Sequence, residues 1–199
     1  MLLKEIVLSY RSSIKKSING FWSLIHSVPR QAGGFFTKRN SMKKQVFISK
    51  SAKDTQSIGK DLALAIRRQG KRRRKHALII SLSGELGAGK TNFTKGFAKG
   101  LGIKEMIASP TFVILKIYEI KNKILKRSGF KNFFHMDAYR IRDQKEMGTI
   151  GFVSMAQDPL NIIVIEWGEN IKELIPKDAL RVGFGQTGRG PREITISQP

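Results

Sequence analysis

Two rhythms of apolar residues divide the chain from residue 42 onward. Ala77-Leu78-Ile79-Ile80-Ser81-Leu82 and Asn161-Ile162-Ile163-Val164-Ile165-Glu166 are short, nearly continuous apolar runs, the pattern of strands buried on both faces. Ile58, Leu62, Ala65 and Ile66 recur instead at helical spacing. They follow Ser51-x-x-Asp54, a capping-box start with Asp in place of Glu or Gln, and this helix is expected to end near Gly70. Phe93 and Phe97, four apart, mark one face of a helix from Lys90 to about Lys99, closed by Gly100 and Gly102 as residues able to turn left-handed. Shorter β-leaning stretches run from Gln45 to Ser49, Phe112 to Ile120, Phe133 to Met136, Ala179 to Phe184 and Glu193 to Ser197. Asp143 to about Ile150 reads as a short helix and Lys121-Asn122-Lys123 as a turn, while Ile124 to Lys131 is basic and ambiguous. Strands alternating with helices predict an α/β domain with a mostly parallel central sheet flanked by helices.

Composition adds limits. A chain of 199 residues with 40% hydrophobic content can bury one sizeable core. No run of eighteen apolar residues exists to span a membrane. Cysteine is absent, which removes disulfides, thiolate metal sites and a cysteine nucleophile and is compatible with the reducing cytoplasm. Three scattered histidines, His26, His76 and His135, do not suggest a zinc site.

Charge changes the picture more. The net charge is +22; residues 1–41 hold seven Lys/Arg against Glu5 and so carry +6, leaving +16 on the rest. That excess suggests a polyanionic partner, nucleic acid first. Its densest run is Lys71-Arg72-Arg73-Arg74-Lys75, preceded by Arg67 and Arg68, which reads equally as a solvated loop or as a contact to a phosphate backbone. Residues 1–41 are Ser-rich, basic and nearly free of acids, with Phe21, Trp22, Phe35 and Phe36 beside Gly33-Gly34. A transit peptide, an amphipathic surface segment and a start of translation at Met42 all fit them, and the last is favoured, since Met42 opens a natural domain start. The expected organisation is an extension over 1–41, outside any catalytic core, and one domain over 42–199.

The most specific chemistry lies in Gly84-Glu85-Leu86-Gly87-Ala88-Gly89-Lys90-Thr91, which matches the phosphate-binding P-loop G-x-x-x-x-G-K-[ST] at every fixed position. A strand before it and a helix after it would converge backbone N–H groups and a helix N-terminus on phosphate oxygens. Lys90 can reach the β- and γ-phosphates, and the Thr91 hydroxyl can sit on Mg²⁺. Glu166, ending an apolar strand, has the place of a second carboxylate acting on metal or water. Asp137, in His135-Met136-Asp137-Ala138-Tyr139-Arg140, also follows a strand; His135, Tyr139 and Arg140 by themselves read as a packed or exposed histidine, packing and a surface charge. Ser109-Pro110-Thr111 stands where a γ-phosphate sensor often lies, but from spacing alone a simple Pro turn is preferred.

In this order, the P-loop, Ser109-Pro110-Thr111-Phe112, His135 to Arg140 and Ile165-Glu166-Trp167 resemble the TsaE (YjeE) family over roughly Met42 to the C-terminus. The resemblance implies a single P-loop NTPase-like domain. It also implies a weak ATPase that binds ATP and Mg²⁺ and works in the cytoplasm with TsaB and TsaD in the threonylcarbamoyladenosine modification of tRNA. By motif, Glu85, Leu86, Gly87, Ala88, Gly89, Lys90, Thr91 and Asn92 would hold phosphates. Thr91 and Glu166 would bind the metal, and Lys90, Asp137 and Glu166 would serve hydrolysis. Trp167 would lie near the nucleotide, Ala52 and Thr55 near the adenine, and Arg189 on a C-terminal loop beside it. The basic loop at Lys71 to Lys75 and the segment Ile124 to Lys131 are more cationic than the family leads one to expect, and tRNA contact through a basic surface is one reading of them.

Two other functions remain open on the residues. A small-molecule P-loop kinase would need an acceptor pocket and an Arg-rich lid, and Lys71 to Lys75 comes too early in the chain for the usual lid. A basic RNA-binding protein with a structural nucleotide would show tight, salt-sensitive RNA binding without partners, and no aromatic RNA-binding motif supports it.

Overall fold

The computed structural model describes residues 43–68, 74–121, 129–186 and 190–198. The elements, in chain order, are β1 (Lys43–Ser49), α1 (Ala52–Arg68), β2 (Leu78–Gly84), α2 (Lys90–Leu101), β3 (Leu115–Glu119), β4 (Asn132–Asp137), α3 (Glu146–Thr149), α4 (Phe152–Gln157), β5 (Asn161–Glu166), a 3₁₀ segment (Gly168–Leu174), β6 (Leu180–Gln186) and β7 (Arg192–Gln198). The extension over 1–41 and Arg189 lie outside the described residues, as do most of the basic loop and of the Ile124–Lys131 segment.

Seven strands form one sheet in the order β1-β7-β6-β2-β5-β4-β3. Its centre, β6-β2-β5-β4, is parallel throughout, while β3 pairs antiparallel with β4 at one edge and β7 with β6 and β1 at the other. The expected α/β class is present, but the sheet is mixed: three of its six pairings are parallel. The reason is connectivity. β6 returns into β7 over the few residues between Gln186 and Arg192, and so short a return can only reverse direction, whereas a parallel pair needs a crossover.

Alternation along the strands fills both faces. Ile80, Leu82, Val164 and Phe133 meet α1 and α2 through Ile58, Leu62, Phe93 and Phe97. Ile79, Ile163, Ile165 and Met136 meet α3, α4 and the 3₁₀ segment through Met147, Phe152 and Ile171. All six residues of β5 are buried, as its unbroken apolar run predicts.

The cap of α1 departs from the box in one detail. Ser51 Oγ accepts from the Asp54 N–H at 3.1 Å, but Asp54 Oδ2 reaches back to the N–H of Lys50, not of Ser51. At the end of α2 only Gly102 turns left-handed (φ 82°) and donates to the Ala98 and Lys99 carbonyls. Gly100 stays inside the helix, where a Cβ would stand 2.6 Å from Ala63 Cβ. The predicted helix at Asp143 shrinks to α3, and α4 follows it unforeseen after a left-handed Gly151. The long stretch from Phe112 yields only a five-residue strand, because Ile114 turns left-handed (φ 63°) and reverses the chain just before it.

Close approach of α1 and α2 fixes the start of α2, and with it the phosphate loop. A Cβ on Gly96 would overlap the Gln56 carbonyl oxygen, and one on Gly59 the Phe93 carbonyl oxygen. Gly96→Ala is therefore expected to force the helices apart and cost about 1–3 kcal/mol, lowering the melting temperature by several degrees. An unchanged melting curve would contradict this packing.

Candidate functional site: a phosphate-loop cleft with two buried carboxylates

Parallel strands present their C-terminal ends to one edge, and here that edge carries the chemistry. β2 runs out at Gly84 (φ 137°), the loop turns through Gly87 (φ 77°), and left-handed Gly89 (φ 105°) opens α2. Next to β2, β5 ends in Glu166, and next to β5, β4 ends in Asp137, directly opposite Glu166 in the register. A cleft of about 420 Å³ opens over this edge, lined by Leu86 to Asn92 of the loop and by Asp137 and Glu166 opposite. Lys95, Ser109, Thr111, Tyr139 and Trp167 complete it.

Lys90 is folded back onto its own loop. Its ammonium donates to the carbonyls of Gly84 (2.5 Å) and Glu85 (2.9 Å) and lies 3.6 Å from the centroid of the Trp167 ring, a cation–π contact. Trp167 has φ 61°, a left-handed conformation costing about 1–3 kcal/mol, and the Tyr139 ring lies beside it with centroids 5.0 Å apart. Burial pushes the Lys90 pKa below its ordinary value of 10.5; Glu169, Glu166 and Asp137, in that order, oppose the shift without cancelling it.

Each carboxylate is met by its own donors. Glu166, 2% exposed, accepts from the Thr91 hydroxyl on Oε2 at 2.8 Å and faces His135 Nε2 with Oε1 at 2.7 Å. His135 is fully buried, and its Nδ1 has no partner. The tautomer with its proton on Nε2 satisfies Glu166 and leaves only a lone pair unmatched; a proton on Nδ1 would be a buried donor without acceptor, at a cost of about 1–3 kcal/mol. Asp137 Oδ2 accepts from Ser109 Oγ (2.9 Å) and Thr111 Oγ1 (2.5 Å), and Oδ1 from the Tyr139 N–H (2.9 Å). Two carboxylates facing each other across adjacent strands repel, and these two donor sets hold them in place.

The expected site residues separate into groups. Leu86, Gly87, Ala88, Gly89, Lys90, Thr91, Asn92, Asp137, Glu166 and Trp167 come together in the cleft. Glu85 takes part through its backbone carbonyl. Thr55 does not line the cleft: it is buried behind the loop, its methyl 3.6 Å from where a Gly89 Cβ would stand and its hydroxyl bound to Ser49 Oγ at 2.7 Å. Ala52 is exposed at the start of α1 and is likewise no part of the lining. Ser109-Pro110-Thr111 is more than a Pro turn, since both hydroxyls enter the cleft. His135 is a buried partner of Glu166. Lys95 of the lining and Glu169, which accepts from the Gly84 N–H at 3.3 Å, carried no pattern that singled them out. In the basic loop, the Arg74 guanidinium packs 4.3 Å over the Phe130 ring.

Loop amides with Lys90 suit a polyphosphate. The hydroxyl–carboxylate pair of Thr91 and Glu166 suits Mg²⁺, which takes one or two carboxylates and otherwise phosphate and water. Among the described residues no group of three or more His, Cys, Asp or Glu could hold a metal ion. No helix among them is long and apolar enough to cross a membrane.

The lowered Lys90 pKa has a measurable consequence. Just below pH 10.5 the unfolded chain binds this proton more fully than the folded one, so stability gains with rising pH in that window. Denaturant titrations should show wild type gaining on Lys90→Met as pH climbs from neutral toward 10.5. A constant or shrinking difference would contradict the burial.

Comparison with known proteins fits this geometry. The family description "Threonylcarbamoyl adenosine biosynthesis protein TsaE" matches residues 49–194. A tRNA threonylcarbamoyladenosine biosynthesis protein TsaE from Bacillus subtilis is 38% identical over 119 residues, 60% of this chain and 68% of that protein. Its counterpart from Treponema pallidum is 33% identical over 150 residues, 75% of this chain and 98% of that one. The crystal structure of Bacillus subtilis YdiB superposes with a TM-score of 0.55 at 29% identity, covering 80% of this chain and 88% of the other. The chain belongs to the TsaE family of tRNA threonylcarbamoyladenosine biosynthesis proteins.

Proposed function

We propose that this protein is a Mg²⁺-dependent ATPase that serves the threonylcarbamoyladenosine modification of tRNA together with TsaB and TsaD. The observation that carries the catalytic part is the convergence of Lys90, Thr91, Glu166 and Asp137 on one cleft under a P-loop. Family membership supports the pathway.

In this reading the loop amides and Lys90 bind the phosphates. Lys90 exchanges the Gly84 and Glu85 carbonyls for phosphate oxygens, a turn of one flexible side chain. Thr91 and Glu166 would hold Mg²⁺, which when bound supplies positive charge to the phosphate oxygens. Asp137, fixed by Ser109, Thr111 and the Tyr139 N–H, orients the attacking water from the opposite wall. The water oxygen bonds to the γ-phosphorus as the bond to the β–γ bridging oxygen breaks, giving ADP and phosphate and releasing a proton. Such a reaction depends on positioning and electrostatics, so the supply of charge decides the rate.

Lys90→Ala should lower ATP hydrolysis about 100-fold or more in a metal-replete phosphate-release assay; turnover at the wild-type rate would refute the mechanism. Reconstituted tRNA modification with TsaB and TsaD should proceed through many rounds with the native protein and stall with Glu166→Ala or Asp137→Ala. Equal yields with and without the protein would remove the pathway role.

A further inference from the structure

His135 stands outside the proposed chemistry: it does not line the cleft, yet it holds one oxygen of the carboxylate that does. The register explains its place. His135 sits opposite Val164 on β4, two residues before Asp137, which faces Glu166; all four therefore share one face of the sheet, with His135 one step deeper than the two carboxylates. Glu166 could otherwise swing toward the cleft or away from it. His135 takes Oε1 from below at 2.7 Å, which leaves Oε2 for the Thr91 hydroxyl at 2.8 Å on the cleft side. Packing fixes the imidazole in turn: it is fully buried and stacks on Phe133, with ring centroids 6.5 Å apart. A buried ring that makes a single polar contact, to an acceptor, and leaves its other nitrogen unpartnered is spent on that acceptor alone.

We propose that His135 is a positioning residue for the metal, acting only through Glu166: it fixes the carboxylate so that Oε2 and the Thr91 hydroxyl present one preformed pair of oxygen ligands. It touches neither nucleotide nor water. This inference rests on the metal–nucleotide reading of the cleft. Ligands oriented by a partner behind them bind metal more tightly than the same ligands left free, commonly by about 10–100-fold.

The test measures ATP binding by isothermal titration across a series of Mg²⁺ concentrations, with metal-free ATP binding and thermal melting alongside. His135→Phe keeps a ring and removes the donor; His135→Gln keeps an N–H that can reach Glu166. The phenylalanine variant should raise the Mg²⁺ concentration needed for half-maximal enhancement of ATP binding about 10-fold or more, with metal-free ATP affinity unchanged. His135→Gln should restore most of that loss. In a Glu166→Ala background, His135→Phe should add nothing further.

Wild-type metal dependence in both variants would overturn the proposal. So would equal impairment of the two with weaker metal-free binding and a lowered melting temperature, which would mark a packing role, or an added loss in the Glu166→Ala background. Wild-type protein that binds ATP without regard to Mg²⁺ would instead bring down the reading of the cleft, and this inference with it.

Discussion

A carboxylate taken out of water must be met by donors, and Glu166 is where that requirement binds the structure together. One oxygen is met from β4 by His135 and the other from the first turn of α2 by Thr91. The Glu166 carbonyl accepts from the Ala138 N–H, drawing in the chain that leaves β4. Two neighbouring strands of the parallel core, β4 and β5, and the start of α2 are thus tied to one residue. Without donors on both sides the anion would be costly to bury, and Asp137, opposite it in the register, would add repulsion. Asp137 escapes by the same logic, held by two hydroxyls and a backbone N–H of its own.

Around these anions Lys90, the cation of the phosphate loop, is held back. Lys90 is bound to the carbonyls of its own loop and lies over Trp167, so the charge that phosphate would meet is already positioned and partly dehydrated. Dehydration lowers its pKa and strengthens its field, since charges interact more strongly where water is excluded. Residues in left-handed conformations stand at both sides of the site: Ile114 before β3 and Trp167 after β5. Each is pinned. The Ile114 N–H donates to the Pro110 carbonyl and its own carbonyl accepts from the Asp137 N–H, while Trp167 contacts both Lys90 and Tyr139.

Much of this was legible in the chain because it rests on local rules. β5 was readable to the residue: an unbroken apolar run ending in a charge can do little else in an α/β sheet. The P-loop needs its glycines and its lysine at fixed spacing, and they declare it. Partnership across the sheet was not legible. That His135 would face Glu166, or that Ser109 and Thr111 would close on Asp137, depends on the register of β4 against β5 and on the turn at Ile114, and no local pattern encodes either. The mixed sheet was missed for a similar reason, since the apolar content of β6 and β7 says they are buried but not which way they run. Thr55 and Ala52 entered by resemblance alone, and the packing of α1 sets one behind the loop and leaves the other exposed.

Whether this cleft holds a metal–nucleotide pair decides the proposed mechanism. Equilibrium titration of ATP into the protein, with magnesium and then with the metal chelated, measures that directly. One ATP per chain, bound more tightly with magnesium than without it, is the predicted result. No binding, or binding indifferent to magnesium, would contradict it.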